Sequence, residues 1–380
     1  NRIEALPITI GPRITTGGDN PLRVEALLVY RTVAGFSPDA EDIGYEVRAR
    51  QWLLGGRAVW LEAGLSSTVN PIERWQLSNL ENSLTLFFFR RDYRDYYERE
   101  GWYGSLGWRA RSGFFGSAEY RDERHRSRAK RNVWTIFFNT SDELRPNAAI
   151  DQGDLKSLLF TVGIDTRTDQ TRPLSGWYNT LTVEQAVGGE LSGQKQDFTR
   201  FSLDLRRFFR VSRNSVLALR LGGGGPLGSD RVPAQRQHYI GGAGSLPGFR
   251  MMEFDCGARA SPDFGTAPGY GCQRFALFQA EYRSSLNFDF RWDHSSSPRQ
   301  FDFSRRPWAV DFDPAIVLFY DAGAAWDTDE DFYDHLTIGD NWIADLGAGF
   351  ELGGLGLYFA YPLVGSDKNL QVVLRLAARF

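Results

Sequence analysis

The 380-residue chain has no stretch approaching the ~18 consecutive apolar residues that a membrane helix needs. The nearest approach, Leu84–Phe89, runs straight into Arg90, Arg91 and Asp92, so helical membrane spans are excluded. Histidine and cysteine are scarce. The four histidines (His125, His238, His294, His335) are scattered, and none stands at metal-ligand spacing from Cys256 or Cys272. Net charge is only −3, which offers no basic surface to nucleic acid. Gly223–Gly228 fits Gly-x-Gly-x-x-Gly formally, but no strand–turn–helix context follows it. Asp327, Asp329 and Asp331 space like the start of a calcium loop, yet Phe332 stands where glycine is needed and no glutamate closes the loop. There is no Gly-x-Ser-x-Gly elbow. These absences point to a protein with no cofactor, no metal and no enzymatic activity.

What is present is glycine (40 residues), tryptophan (11) and an aromatic content of 14%. The mean hydropathy of −0.38 suits a soluble β-sandwich or lipocalin-like barrel. It suits a membrane barrel equally, because each spanning strand there alternates lipid-facing and lumen-facing residues and averages out as half polar. The patterning decides between them. In Leu370–Phe380 the even positions are Leu370, Val372, Leu374, Leu376, Ala378 and Phe380, against Gln371, Arg375 and Arg379. Phe198–Val211 sets Phe201, Leu203, Leu205, Phe209 and Val211 against Arg200, Asp204, Arg206 and Arg210. Similar rows run through 157–167, 343–352 and 355–363, each near the ~9–11 residues that cross a bilayer at a steep tilt.

Sixteen such rows can be counted: 3–13, 21–32, 43–54, 57–68, 102–111, 113–124, 132–139, 156–168, 174–187, 198–211, 214–223, 274–286, 314–326, 343–352, 355–363 and 369–380. The expected architecture is a single all-β domain over 1–380, a transmembrane antiparallel up-and-down barrel of about sixteen strands. With both chain ends taken as periplasmic, the Gly-rich segment 224–273 and the loop 327–341 are extracellular. The insertion 70–101 then falls on the periplasmic side. Within it Ser78-Asn79-Leu80-Glu81 matches a helix capping box, which suggests a short amphipathic helix over about 79–100. A strand extension through Leu84–Phe89 is the competing reading. Pro7, which cannot donate to a ladder, weakens the seam between first and last strands or simply sits at a strand start. Cys256 and Cys272 suit a loop disulfide better than a zinc site or two free thiols. It would imply an oxidising compartment and stabilise by ~3 kcal/mol. Asn1 opens without a signal-peptide pattern, as in a mature chain or one cut upstream.

Several segments resemble the BamA/TamA superfamily of outer-membrane barrels. Residues 238–250, His-Tyr-Ile-Gly-Gly-Ala-Gly-Ser-Leu-Pro-Gly-Phe-Arg, are similar to that family's sixth-loop motif, which folds back into the lumen. Ala280–Arg283, Phe319–Trp326, Leu346–Phe350 and Tyr358–Leu363 resemble its following strands in order, and Asn1–Leu6 its opening. A strand row ending in Phe380 resembles the targeting signal of bacterial outer-membrane barrels that is read by the assembly machinery. The resemblance implies a barrel of the bacterial outer membrane that inserts or translocates other proteins through a weak seam between its first and last strands. The alternative is a structural or anchoring barrel, and a third class is a passive pore, which the inward loop would plug. Implied partners are outer-membrane lipids and lipopolysaccharide, client β-barrel or secreted proteins, and accessory outer-membrane or periplasmic subunits. No substrate-receiving POTRA-like domain lies in these residues.

In the family the motif arginine reaches an acid on each of two strands inside the lumen. Alternation independently turns Glu281 and Asp321 inward. Here Pro247 occupies the arginine position, so the expectation is that Arg250 takes over that role. The candidate site is thus Gly241, Gly242, Leu246, Pro247, Gly248, Phe249 and Arg250 with Glu281 and Asp321, together with the seam residues Pro7 and Phe380.

Overall fold

The structure is a computed structural model, and it describes residues 1–35, 39, 42–131, 133–137, 144–254, 256, 260–261, 265–266, 271–286, 314–328, 342–364, 369–376 and 379. Period-2 alternation becomes one antiparallel meander of seventeen strands. In chain order these are β1 (Pro7–Ile10), β2 (Arg13–Thr15), β3 (Leu22–Arg31), β4 (Ile43–Leu53), β5 (Val59–Pro71), β6 (Tyr96–Arg109), β7 (Phe114–Ser127), β8 (Gly153–Asp165), β9 (Gly176–Leu191), β10 (Gln194–Lys195), β11 (Thr199–Arg210) and β12 (Ser215–Pro226). A separate two-stranded ribbon, β13 (Ala260–Ser261) and β14 (Gly265–Thr266), precedes the rest of the sheet. The sheet continues with β15 (Arg274–Ser285), β16 (Ala315–Trp326), β17 (Ile343–Leu352), β18 (Leu355–Pro362) and β19 (Gln371–Arg375). Each long strand pairs with its neighbours in sequence, and β10 is the short return arm of a hairpin on β9. β1 and β2 lie on β3 in one continuous register, interrupted at Gly11-Pro12.

The described part of the row expected at 132–139, residues 133–137, contains no strand. This changes the sidedness of everything upstream of it. Counting strands along the meander places the connections 72–95, 128–152 and 227–273 at the same end of the barrel. The insertion 70–101 therefore lies with the extracellular loops, and residues 1–6 lie at that end too. The opposite end carries short turns such as 54–58, 110–113 and Gly353-Gly354, as expected of periplasmic turns.

Inside 70–101 the capping box forms as expected. The Glu81 amide donates to Ser78 Oγ at 3.1 Å, and Glu81 Oε2 accepts the Ser78 amide at 2.9 Å. The helix, α1 (Asn79–Phe89), is shorter than expected: Arg90 turns left-handed at φ 55°, and β6 is already under way at Tyr96. No helix among the described residues is long and apolar enough to cross a membrane.

The outer face shows the membrane band. Trp108, Phe114, Trp177 and Phe209 are exposed near the short-turn end, and Trp102 against Tyr120 marks the other rim. Between them lie exposed Leu65, Leu106, Phe160, Val162, Leu318, Tyr320, Phe359 and Leu374. Such a wall in water would be one large apolar patch, and lipid is the solvent that suits it.

Candidate functional site: the lumen plug and the seam

The described part of the connection between β12 and β15, above all 232–254, folds into the barrel and is pinned at its base. Arg236 Nε and Arg200 Nε hold the Glu184 carboxylate at 3.0 and 2.7 Å, and Arg236 Nη1 donates to the Tyr97 hydroxyl at 3.0 Å. His238 sits beside Glu73 at 2.9 Å and exchanges backbone hydrogen bonds with Cys272. Cys256 and Cys272 are joined in a disulfide.

The tip is built from the motif residues. Gly241 and Gly242 adopt φ of 119° and 81°, which only glycine takes without strain. They let Gly242 and Leu246 exchange amide–carbonyl hydrogen bonds at 3.0–3.1 Å. Leu246 and Ile240 are fully buried against Phe275 and Leu277, with Trp75 and Phe249 packed alongside. The Gly248 amide donates to Asp345 Oδ2 at 2.7 Å, and a Cβ on Gly248 would lie 2.6 Å from that of Asp345. Gln279 Nε2 holds the Ser245 carbonyl at 2.9 Å and is itself held by Arg220, whose guanidinium stacks 4.8 Å from the Trp75 ring centre. Pro247 lines a cavity of about 890 Å³ between the loop tip, α1 and β19, together with Phe249 and Arg250.

Glu281 and Asp321 do point inward and are buried, as alternation requires. Their cation is not Arg250. Arg250 is exposed, and its backbone amide donates to Glu253 Oε2 at 3.2 Å. The guanidinium between the carboxylates is that of Arg379, which bonds Asp321 and lies 3.7 Å from Glu281 and 3.7 Å from the Phe319 ring centre. The expectation for Arg250 fails because the tip docks through the Gly248 amide. Asp345, directly across the ladder from Asp321, is a third acid that the sequence reading did not place in this cluster. Its signal was present: both Asp345 and Arg379 fall on inward rows.

The segment 72–95 bridges the two ends of the sheet. Glu81 Oε1 accepts from Arg375 Nε at 2.7 Å and from the Leu376 amide at 2.9 Å, and Arg375 Nη1 donates onward to the Ala243 carbonyl in the loop tip. On the other side Arg2, fully buried, bonds Asp92 and Asp95, while Ala5 packs on Leu86, Val133 and Leu144. Among the described residues no ladder joins β1 or β2 to β19. Pro7 is the first residue of β1, and Pro12 separates β1 from β2. Phe380 lies outside the described residues.

Two consequences can be measured. Burial raises the Glu81 pKa, but Arg375 and the Ser78 and Leu376 amides outweigh it and hold it below the ordinary carboxylate value. A depressed folded pKa contributes stability above the unfolded value of about 4.3, and that stability is lost as pH falls through the folded value. The wild-type unfolding midpoint should therefore drop below about pH 4, and Glu81→Gln should lack that component. Equal slopes in both would mean that the clasp carries no charge-dependent stability. Second, a Cβ on Gly244 would lie 1.9 Å from the Gln76 carbonyl oxygen. Gly244→Ala should lift the tip, an overpacking strain of about 1–3 kcal/mol, and raise conductance in planar bilayers. Unchanged conductance would place the plug elsewhere.

Comparison with known proteins is in line with this geometry. The Omp85 superfamily domain matches residues 61–366. No curated protein matches the chain. Among solved structures, BamA from Haemophilus ducreyi lacking POTRA domains 1–3 is similar over 97% of this chain and 69% of that one, at 14% identity and a TM-score of 0.54. CdiB from Acinetobacter baumannii is similar over 96% of this chain and 58% of that one, at 11% identity and a TM-score of 0.40. At such identity the likeness to the first is one of fold.

Proposed function

The chain belongs to the Omp85 superfamily, and from that premise we propose that it inserts or translocates outer-membrane or secreted proteins through the seam between its first and last strands. The observation that supports this reading is that, among the described residues, the edges β1–β2 and β19 are each tied to the 72–95 segment and not laddered to one another. A free strand edge presents unpaired backbone groups that an incoming strand can use. Pro7, the first residue of β1, has no amide hydrogen to give to such a strand. The docked loop keeps the lumen plugged while the seam works. Clients on this reading are β-barrel or secreted chains, accessory outer-membrane or periplasmic subunits assist, and no bond-making chemistry is involved.

The test is a covalent tether between the two edges. Client insertion should stop when β1 and β19 are joined, and full activity in the tethered protein would overturn the reading. A second reading, a static anchor or a subunit of a larger complex, draws on the Arg379–Asp321–Glu281 cluster and the Glu81 clasp. Both hold the barrel in one arrangement. Absence of client insertion by the untethered protein would favour it.

A further inference from the structure

The charges on the outer wall toward the loop end are paired: Arg124 with Asp154 at 2.8 Å, Arg126 with Glu100 at 3.0 Å, and Lys156 with Asp122 at 3.6 Å. Arg207 differs. It interrupts the lipid-facing row Phe201, Leu203, Leu205 and Phe209 of β11, with Trp177 directly opposite on β9 and Leu219 on β12. Its guanidinium lies 4.5 Å from the Trp177 ring centre and 4.7 Å from that of Phe209. Among the described residues no carboxylate pairs with it, and its Nε is buried without a hydrogen-bond partner.

A cation in a lipid-facing row is tolerated where it can snorkel to the interface. β11 ends at Arg210. Three residues at ~3.3 Å rise and ~45° tilt put Arg207 about 7 Å from the strand end, at headgroup depth in the leaflet on the short-turn side. The two rings cover the guanidinium, and the remaining N–H groups form the fork that suits a phosphate.

We propose that Arg207, Trp177 and Phe209 form an outer-wall site for a phospholipid, with the guanidinium on the phosphodiester and an acyl chain lying along Leu205, Leu203 and Phe201. The site stands apart from the seam and does not depend on what the seam does. Native mass spectrometry of the full chain, released from detergent after titration with dioleoylphosphatidylglycerol, reads it directly. Arg207→Met should weaken the tightest site about tenfold and Trp177→Leu a few-fold, with Arg207→Lys intermediate. Heat-modifiable migration identifies the folded fraction of each. Dioleoylglycerol, which lacks the phosphate, should not fill the site, and millimolar inorganic phosphate should not compete. Equal phosphatidylglycerol binding by wild type and by both Arg207 variants would overturn the proposal. So would equally tight dioleoylglycerol, competition by inorganic phosphate, or Arg207-dependent binding of lipid A in place of phosphatidylglycerol.

Discussion

Arg379→Met should cost about 3–5 kcal/mol of unfolding free energy, the penalty for leaving buried charge without its counter-ion. Glu281, Asp321 and Asp345 project inward from three adjacent strands, and Asp321 and Asp345 stand directly opposite each other. Arg379 bonds Asp321 and stacks on Phe319, while Arg283 also stands 4.0 Å from Glu281. Methionine keeps much of the side-chain volume and removes only the charge and its donors. Arg379→Lys should recover part of the loss, since it restores the charge but not the planar fork or the stacking. Adding Asp321→Asn and Glu281→Gln to Arg379→Met should also recover part of it, because the acids then no longer need a cation. Arg250→Met, at an exposed position away from the cluster, should stay within about 0.5 kcal/mol of wild type. Denaturant unfolding in micelles, followed by tryptophan fluorescence, separates these variants. Similar losses for Arg250→Met and Arg379→Met would return the motif role to the loop tip.

The comparison of Arg250 with Arg379 shows where sequence reading stops. Alternation placed Glu281, Asp321 and Arg379 on inward rows, because lipid outside a barrel demands strict apolarity at every second position. It could not say which cation meets which acid, since alternation fixes the face of a side chain and not its partner across the lumen. The same logic explains strand lengths. β11, β16, β17 and β18 were readable to within a few residues because they lie in the band. β6 begins at Tyr96, well before its apolar row, because its first turns stand above the lipid, where Glu98 pairs with Arg31 and Arg128 instead of facing hydrocarbon.

The false row at 132–139 failed for a different reason. Trp134 and Ile136 alternate as a lipid-facing strand would, but their partner is a helix. Phe87 meets Trp134 edge-on at 6.0 Å, Phe88 lies 6.5 Å from Phe137, and the Ile136 amide donates to the Phe87 carbonyl in place of a ladder bond. Composition cannot distinguish these two uses of an exposed aromatic. The error then propagated, because one spurious strand inverts every connection upstream of it. The disulfide between Cys256 and Cys272 is the pairing favoured over a zinc site or free thiols by a Gly/Pro-rich loop with no histidine at ligand spacing.

Joining Ile10 to Val372 through cysteines and a cleavable bis-maleimide should abolish client insertion, and cleaving the linker should restore it. Both residues are exposed and lie on the outer rows of the two edge strands, so neither contributes to the plug. The placement isolates one degree of freedom: the tether fixes the distance between edges but leaves Gly248, Arg379 and the Glu81 clasp untouched. A control tether between Leu357 and Leu374, which already face each other across the β18–β19 ladder, adds the same chemistry without crossing the seam and should leave activity intact. If both tethers inactivate, the linker itself is the cause. If neither does, the edges need not part, and clients would have to pass by a route that displaces the loop, which Gly244→Ala then reports through conductance. Loss with the Ile10–Val372 tether alone requires that the two edges part for a client strand to enter.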